Sequence, residues 1–174
     1  HIFNGDALKD YFNYHEIELE GDKYVFREAL IEGPVQVDEK LSNFIQIRAN
    51  YLNNTYQVNV ERVQQMYQQI MNAAINEKNE IVLWFEYDVF CHLNFCFNVY
   101  SLAPLLQPSK KVKLSWVAPT KKHPYSFALH QPVDLLDQFF HRKVLSSENK
   151  IVFSALWSAF AKADFQGLRG LIHK

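Results

Sequence analysis

The sequence predicts an α/β fold on a mostly parallel sheet, three-layered and Rossmann-like or flavodoxin-like, with a small C-terminal helical extension. Residues 81–85, Ile-Val-Leu-Trp-Phe, are an apolar run without alternation, the pattern of a strand buried on both faces. After a bend bearing Glu86 and Asp88, residues 89–103 make a helix apolar almost all round, with Asn94, Asn98 and Ser101 as its polar stripe. The same order, a short apolar strand and then a helix, opens the chain over residues 1–12. A buried strand feeding a buried helix through a polar bend is the arrangement of a site at the carboxyl edge of a parallel sheet.

The bulk numbers set limits. With 174 residues, 48% hydrophobic and 15% aromatic, the chain can bury a sizeable core, and disorder is excluded. No apolar run approaches the ~20 residues that cross a bilayer, and no signal peptide is visible. His1 stands without an initiator Met, so the chain is expected to begin just inside the gene product. Cys91 and Cys96, five apart on one helix, are poorly placed to pair or share a metal, and two buried thiols suit a reducing cytoplasm. The net charge of −1 is unevenly spread: residues 1–108 carry −8 and residues 109–174 carry +7. Two solvated, partly complementary surfaces explain this. So does a basic patch for phosphate or nucleic acid centred on Lys110, Lys111, Lys113, Lys121 and Lys122.

In chain order, residues 1–3 read as a strand. Asn4-Gly5-Asp6 is a turn in which Gly5 supplies backbone freedom and Asp6 caps a helix over residues 7–12. The N–H groups of such a turn suit an anion. Residues 23–26 form a second strand, ending in Arg27-Glu28, and Gly33-Pro34 turns the chain. Residues 41–52 are helical, with Arg48 on the apolar stripe of Leu41, Phe44, Ile45, Tyr51 and Leu52. Three environments suit that arginine: a clamp to a carboxylate, with Glu28 and Asp6 the candidates, a ligand-facing position, or a snorkelling surface position. Asn59 caps a core-facing helix over 60–74. Residues 112–116 alternate, so this strand has one wet face and lies nearer an edge. Prolines 119, 124 and 132 mark a loop and the internal boundary, giving an α/β domain over 1–130 and a helical extension over 131–174. Helices are expected over 133–143, 147–163 and 165–172, capped by Ser146 or Ser147 and by Asp164. Nothing at the 163–165 junction marks a DNA-reading helix-turn-helix.

Several stretches together resemble a known family. His1-Ile2-x-Asn4-Gly5-Asp6, Arg27-Glu28 with Gly33-Pro34, Arg48, Trp84-Phe85-Glu86-x-Asp88-x-Phe90-Cys91 and the later Leu145 and Leu156-Trp157 are similar to the bacterial family called domain of unknown function 1835. The resemblance implies a longer parent protein, with Lys174 as a truncation point. It implies no activity, and no catalytic or binding residue is carried over from it.

If the strands are parallel and adjacent, Asp6, Glu28, Glu86 and Asp88 converge on one edge and are the candidate catalytic carboxylates. Such a group can do acid/base work or hold a hard cation such as Mg²⁺, although no metal-ligand spacing or cofactor motif appears. Asn4, Gly5, Arg27, Arg48 and His92 are the candidate ligand-binding residues, the arginines favouring phosphate or carboxylate. His92, one turn after Asp88, is either a packing histidine or one tuned for proton handling. Cys91 gains thiolate character at the helix start or stays an inert core thiol. Alternatively, the same residues form a structural network of caps and ion pairs. The expectation is a cytoplasmic domain binding a small anionic or phosphorylated ligand, with hydrolytic or transfer chemistry left open. The alternative is a regulatory module meeting nucleic acid or an acidic protein through its basic half. A membrane partner is not expected.

Overall fold

The computed structural model describes residues 1–35, 40–77, 79–106 and 111–172. Lys110 and Lys174 lie outside the described residues. The elements run β1 (Ile2–Asn4), α1 (Asp6–Tyr14), β2 (Tyr24–Phe26), α2 (Leu41–Tyr56), α3 (Val60–Asn76), β3 (Glu80–Trp84), α4 (Val89–Leu102), β4 (Lys113–Val117), α5 (Pro132–Phe140), β5 (Lys143–Val144), α6 (Ser147–Ala161) and α7 (Phe165–Ile172). The sheet order is β2-β1-β3-β4-β5. Four strands are parallel, and β5 pairs antiparallel with β4. This is the α/β class expected, with a mostly parallel sheet flanked by helices.

Side-chain alternation along the strands sorts the core into two layers. Ile2, Ile81, Leu83, Leu114 and Trp116 face a layer holding Phe44 of α2, Tyr67 of α3, Phe95 and Val99 of α4 and Trp157 of α6. Phe3, Val82, Trp84 and Val117 face the other layer, with Leu8 and Phe12 of α1 and Leu135 of α5. The helices after β1 and β3 therefore cover opposite faces.

Several local expectations change. Gly5, at φ 80°, occupies the N-cap position of α1, so Asp6 is its first helical residue rather than its cap. Asn59, Asp88 and Ser146 do cap α3, α4 and α6, and Asp164 accepts the N–H of Gly167. β4 lies next to an edge strand and Lys113 at its start is exposed, but Ser115 is fully buried and donates to Glu80, so the expected wet face shrinks to that one lysine. The C-terminal segment is helical as expected, yet it also supplies β5. Arg142 ties that strand's approach to β3 through a bidentate pair with Glu80 at 3.0 and 2.7 Å. Leu145, Trp157 and Ala161 sit in the main core, so this segment is part of the sheet's covering layer.

Candidate functional site

Where consecutive parallel strands send their helices to opposite faces, the connections diverge and leave a crevice at the carboxyl ends. Here that switch point lies between β1 and β3. On one side is the Gly5 turn: Gly5 donates to Phe26 at 3.1 Å, and among the described residues no side chain caps the first-turn N–H groups of α1. The first turn of α1 carries the Asp6 carboxylate, which suits the positive end of the helix, and Asp6 is itself held by Arg27. On the other side is the bend Glu86–Asp88.

Asn94 of α4 joins the three turns. Its Nδ2 donates at 2.8 Å both to Asn4 Oδ1 and to the carbonyl of Glu28. Asn4 Nδ2 donates to Cys91 Sγ at 2.8 Å, and that thiol donates to Glu86 Oε2 at 3.2 Å. Glu86 Oε1 accepts the N–H of Phe127 at 2.6 Å, and Tyr87 donates to the carbonyl of Pro124 at 3.1 Å. The segment after β4 is therefore held against the bend, bringing the exposed Lys121 and Lys122 to the same edge. His130, buried inside that segment, accepts from the N–H of Thr120 at Nε2 (3.1 Å). Its Nδ1–H is thus the donor to the carbonyl of Ser126 at 3.0 Å, so the ring is pinned from both nitrogens.

The sequence-predicted residues divide into three environments. Asn4, Glu86 and Asp88 meet at the crevice, Asp88 accepting the N–H of Cys91 at 3.0 Å. Asp6 and Arg27 form a bidentate, half-exposed pair at 2.7 Å beside it; the Arg27 hydrogen bonds hold the Asp6 carboxyl below its ordinary value against a weaker opposing effect of burial. Glu28 and Arg48 are buried behind it and bind each other. Arg48 spends its remaining N–H groups on the carbonyls of Ala29, Glu32 and Pro34, so no donor is left for a ligand. Of the three environments open to Arg48, the structure gives it the carboxylate clamp. Tyr67, which sequence periodicity marks only as core, donates to Glu28 at 2.7 Å; burial first, then the Glu28 charge, pushes its hydroxyl well above the usual range.

His92 packs among Phe95, Trp116 and Phe153. Burial lowers its pKa, partly offset by Asp88, and its Nδ1 has no hydrogen-bond partner among the described residues. That is a packing histidine. Burial, then the bonds and charges of Asp88 and Glu86, pushes the Cys91 thiol far up, and Cys96 rises to about 12. Neither is a ready nucleophile. Ligand atoms of Glu86, Asp88 and Cys91 lie within 4.8 Å of one another, but the thiol keeps its proton, so a hard cation would meet two carboxylates and little else.

A groove of about 520 Å³ lies at the opposite, amino edge of the sheet, where Glu20, Asp22, Glu77 and Glu80 disfavour an anion. No helix among the described residues is long and apolar enough to cross a membrane. No family model, curated protein or solved structure matches the chain.

Proposed function

We propose that this chain binds a small anionic ligand, above all a phosphorylated one, at the carboxyl edge of the sheet between β1 and β3. The observation that carries the reading is the divergence of α1 and α4 at that point, together with a first turn of α1 that has no side-chain cap among the described residues. Helix N–H groups suit the anion, Lys121 and Lys122 add positive charge from the adjoining segment, and Glu86 and Asp88 suit the ligand's hydroxyls or an accompanying divalent cation. The reading is one of binding rather than reaction, because the Cys91 thiol is held protonated and His92 faces an aromatic cluster. It is framed for a bacterial cytoplasm, in keeping with the resemblance to the domain of unknown function 1835 family and with two free buried thiols.

A thermal-shift screen of nucleotides and sugar phosphates, with and without Mg²⁺, tests it, since a ligand of the folded state alone raises apparent stability. Ala7→Glu supplies the control. Ala7 is exposed in the first turn of α1, where a carboxylate favours the helix but repels an anion. The expected outcome is a hit that Ala7→Glu abolishes without loss of stability; a hit indifferent to it would place the ligand elsewhere.

A second reading, a regulatory module for nucleic acid or an acidic protein, draws on the net +7 of residues 109–174 and the exposure of Lys111, Lys113, Lys121, Lys122 and Lys143. It requires steeply salt-dependent retention on heparin or DNA. Absence of retention at low salt removes it.

A further inference from the structure

A cleft of about 200 Å³ opens at β2, the outermost strand of the sheet, and Lys9 of α1, Lys23 and Arg27 all line it. Residues 1–108 carry a net −8, so three cations around one small space run against the local balance. Lys9 and Lys23 are half-buried, and neither has an ion-pair partner among the described residues. Lys23 Nζ donates to the uncharged carbonyl of Leu19 at 3.1 Å, leaving two of its three protons for another acceptor. Arg27 engages Asp6 through Nε and Nη2 only.

The backbone adds a donor. Tyr24 donates its N–H to the carbonyl of His1 at 2.8 Å and the carbonyl of Phe26 accepts from Gly5 at 3.1 Å, so those two residues of β2 turn their polar groups to β1. Val25 between them turns its N–H to the open edge, and Val25 lines the cleft. Among the described residues no carboxylate lines the cleft itself; Asp6 is held by Arg27 and also feels the charge of Lys9, Asp10 acts on Arg27, and Lys23 borders a separate groove with Glu16, Glu18 and Glu20. Cations gathered around a space that no described carboxylate lines repel one another across it, and a bound anion relieves that repulsion.

We propose that this cleft is a binding site for a tetrahedral oxyanion, a phosphate either free or as a monoester. It lies outside β2 and stands whether or not the crevice between β1 and β3 binds its own ligand.

Calorimetric titration of the full chain with inorganic phosphate and, separately, with glycerol 3-phosphate tests it, at ionic strength matched with chloride. The expected result is saturable binding whose Kd rises by about tenfold or more in Lys9→Ala and in Lys23→Ala. Lys23→Arg and Ala7→Glu should leave it in place. Tighter binding of the monoester identifies the anion as part of a larger molecule; tighter binding of inorganic phosphate identifies it as the free ion. No saturable binding of either, or an unchanged Kd in both alanine variants, overturns the proposal. Loss in Ala7→Glu with the lysine variants unaffected moves the anion to the crevice and overturns it equally.

Discussion

Arg48 grips Glu28 with two parallel hydrogen bonds, Nε to Oε1 at 3.1 Å and Nη2 to Oε2 at 2.7 Å, both side chains fully buried. The pair joins α2 to the turn after β2. Its other bonds bring the carbonyls of Ala29, Glu32 and Pro34 to the same guanidinium, so one side chain organises residues 28–34. Removing either partner leaves a buried charge uncompensated.

Arg48→Ala is therefore expected to cost about 3–5 kcal/mol in urea denaturation. Arg48→Lys should rescue little, because an ammonium cannot reproduce the fork. A folded Arg48→Ala protein of unaltered stability would show that the clamp is dispensable.

His92 carries a different sign. Burial holds its pKa below the ordinary value of 6.5, so the folded state resists protonation more than the unfolded chain does. Stability should fall as pH drops through and below about 6.5 and be unaffected by this group above it. His92→Leu should flatten that acid limb. Because Nδ1 has no partner among the described residues, the same change should raise stability at neutral pH by about 1–2 kcal/mol. Denaturation curves at neutral and mildly acid pH measure both effects, and a destabilised His92→Leu would contradict them.

Glu80 behaves oppositely. Burial raises its pKa, but the Arg142 and Ser115 hydrogen bonds and the charges of Arg142 and Lys113 together outweigh that and hold the carboxyl below its ordinary value. The stabilisation is present above the unfolded-state pKa and is lost as pH falls through the folded one. Arg142→Ala should cost about 1–2 kcal/mol at neutral pH and weaken this acid dependence. An unchanged unfolding midpoint would mean that β5 holds its place without the pair.

Both thiols should be silent in the native protein. Burial and neighbouring carboxylates raise Cys91, and burial raises Cys96. A disulfide reagent at about pH 8 is expected to label neither until denaturant is added. Rapid native labelling of one thiol would mean that the bend at Glu86–Asp88 opens readily.

Much of this architecture is legible in the amino-acid order, because its signals are local. The apolar run before Glu86 and the cap at Asp88 place β3 and α4, and an arginine on an apolar stripe offers a carboxylate clamp as one of three environments, the one the structure fills with Glu28. What sequence could not show depends on distant partners. β5 is two residues long, both exposed, and exists because β4 offers it an edge. Ser115 looks like a solvent position until Glu80 of the neighbouring strand is placed beside it. Asp6 looks like a cap because Gly5 precedes it, yet the positive φ of that glycine lets Gly5 itself end the turn. His130 lies in a proline-rich stretch without periodicity, and its role in fastening that stretch comes from a threonine ten residues earlier and a serine four residues earlier.

The covering of α4 by α6 bears on how the polypeptide leaves the ribosome. Phe95 and Phe97 emerge well before Phe153 and Trp157, the rings that shield them. Until those late residues clear the exit tunnel, a greasy helix waits bare beside an unfinished sheet. The helix is thus left uncovered between the emergence of residues 89–102 and that of residues 147–161, and a nascent chain stalled near residue 130 is a natural client for chaperones.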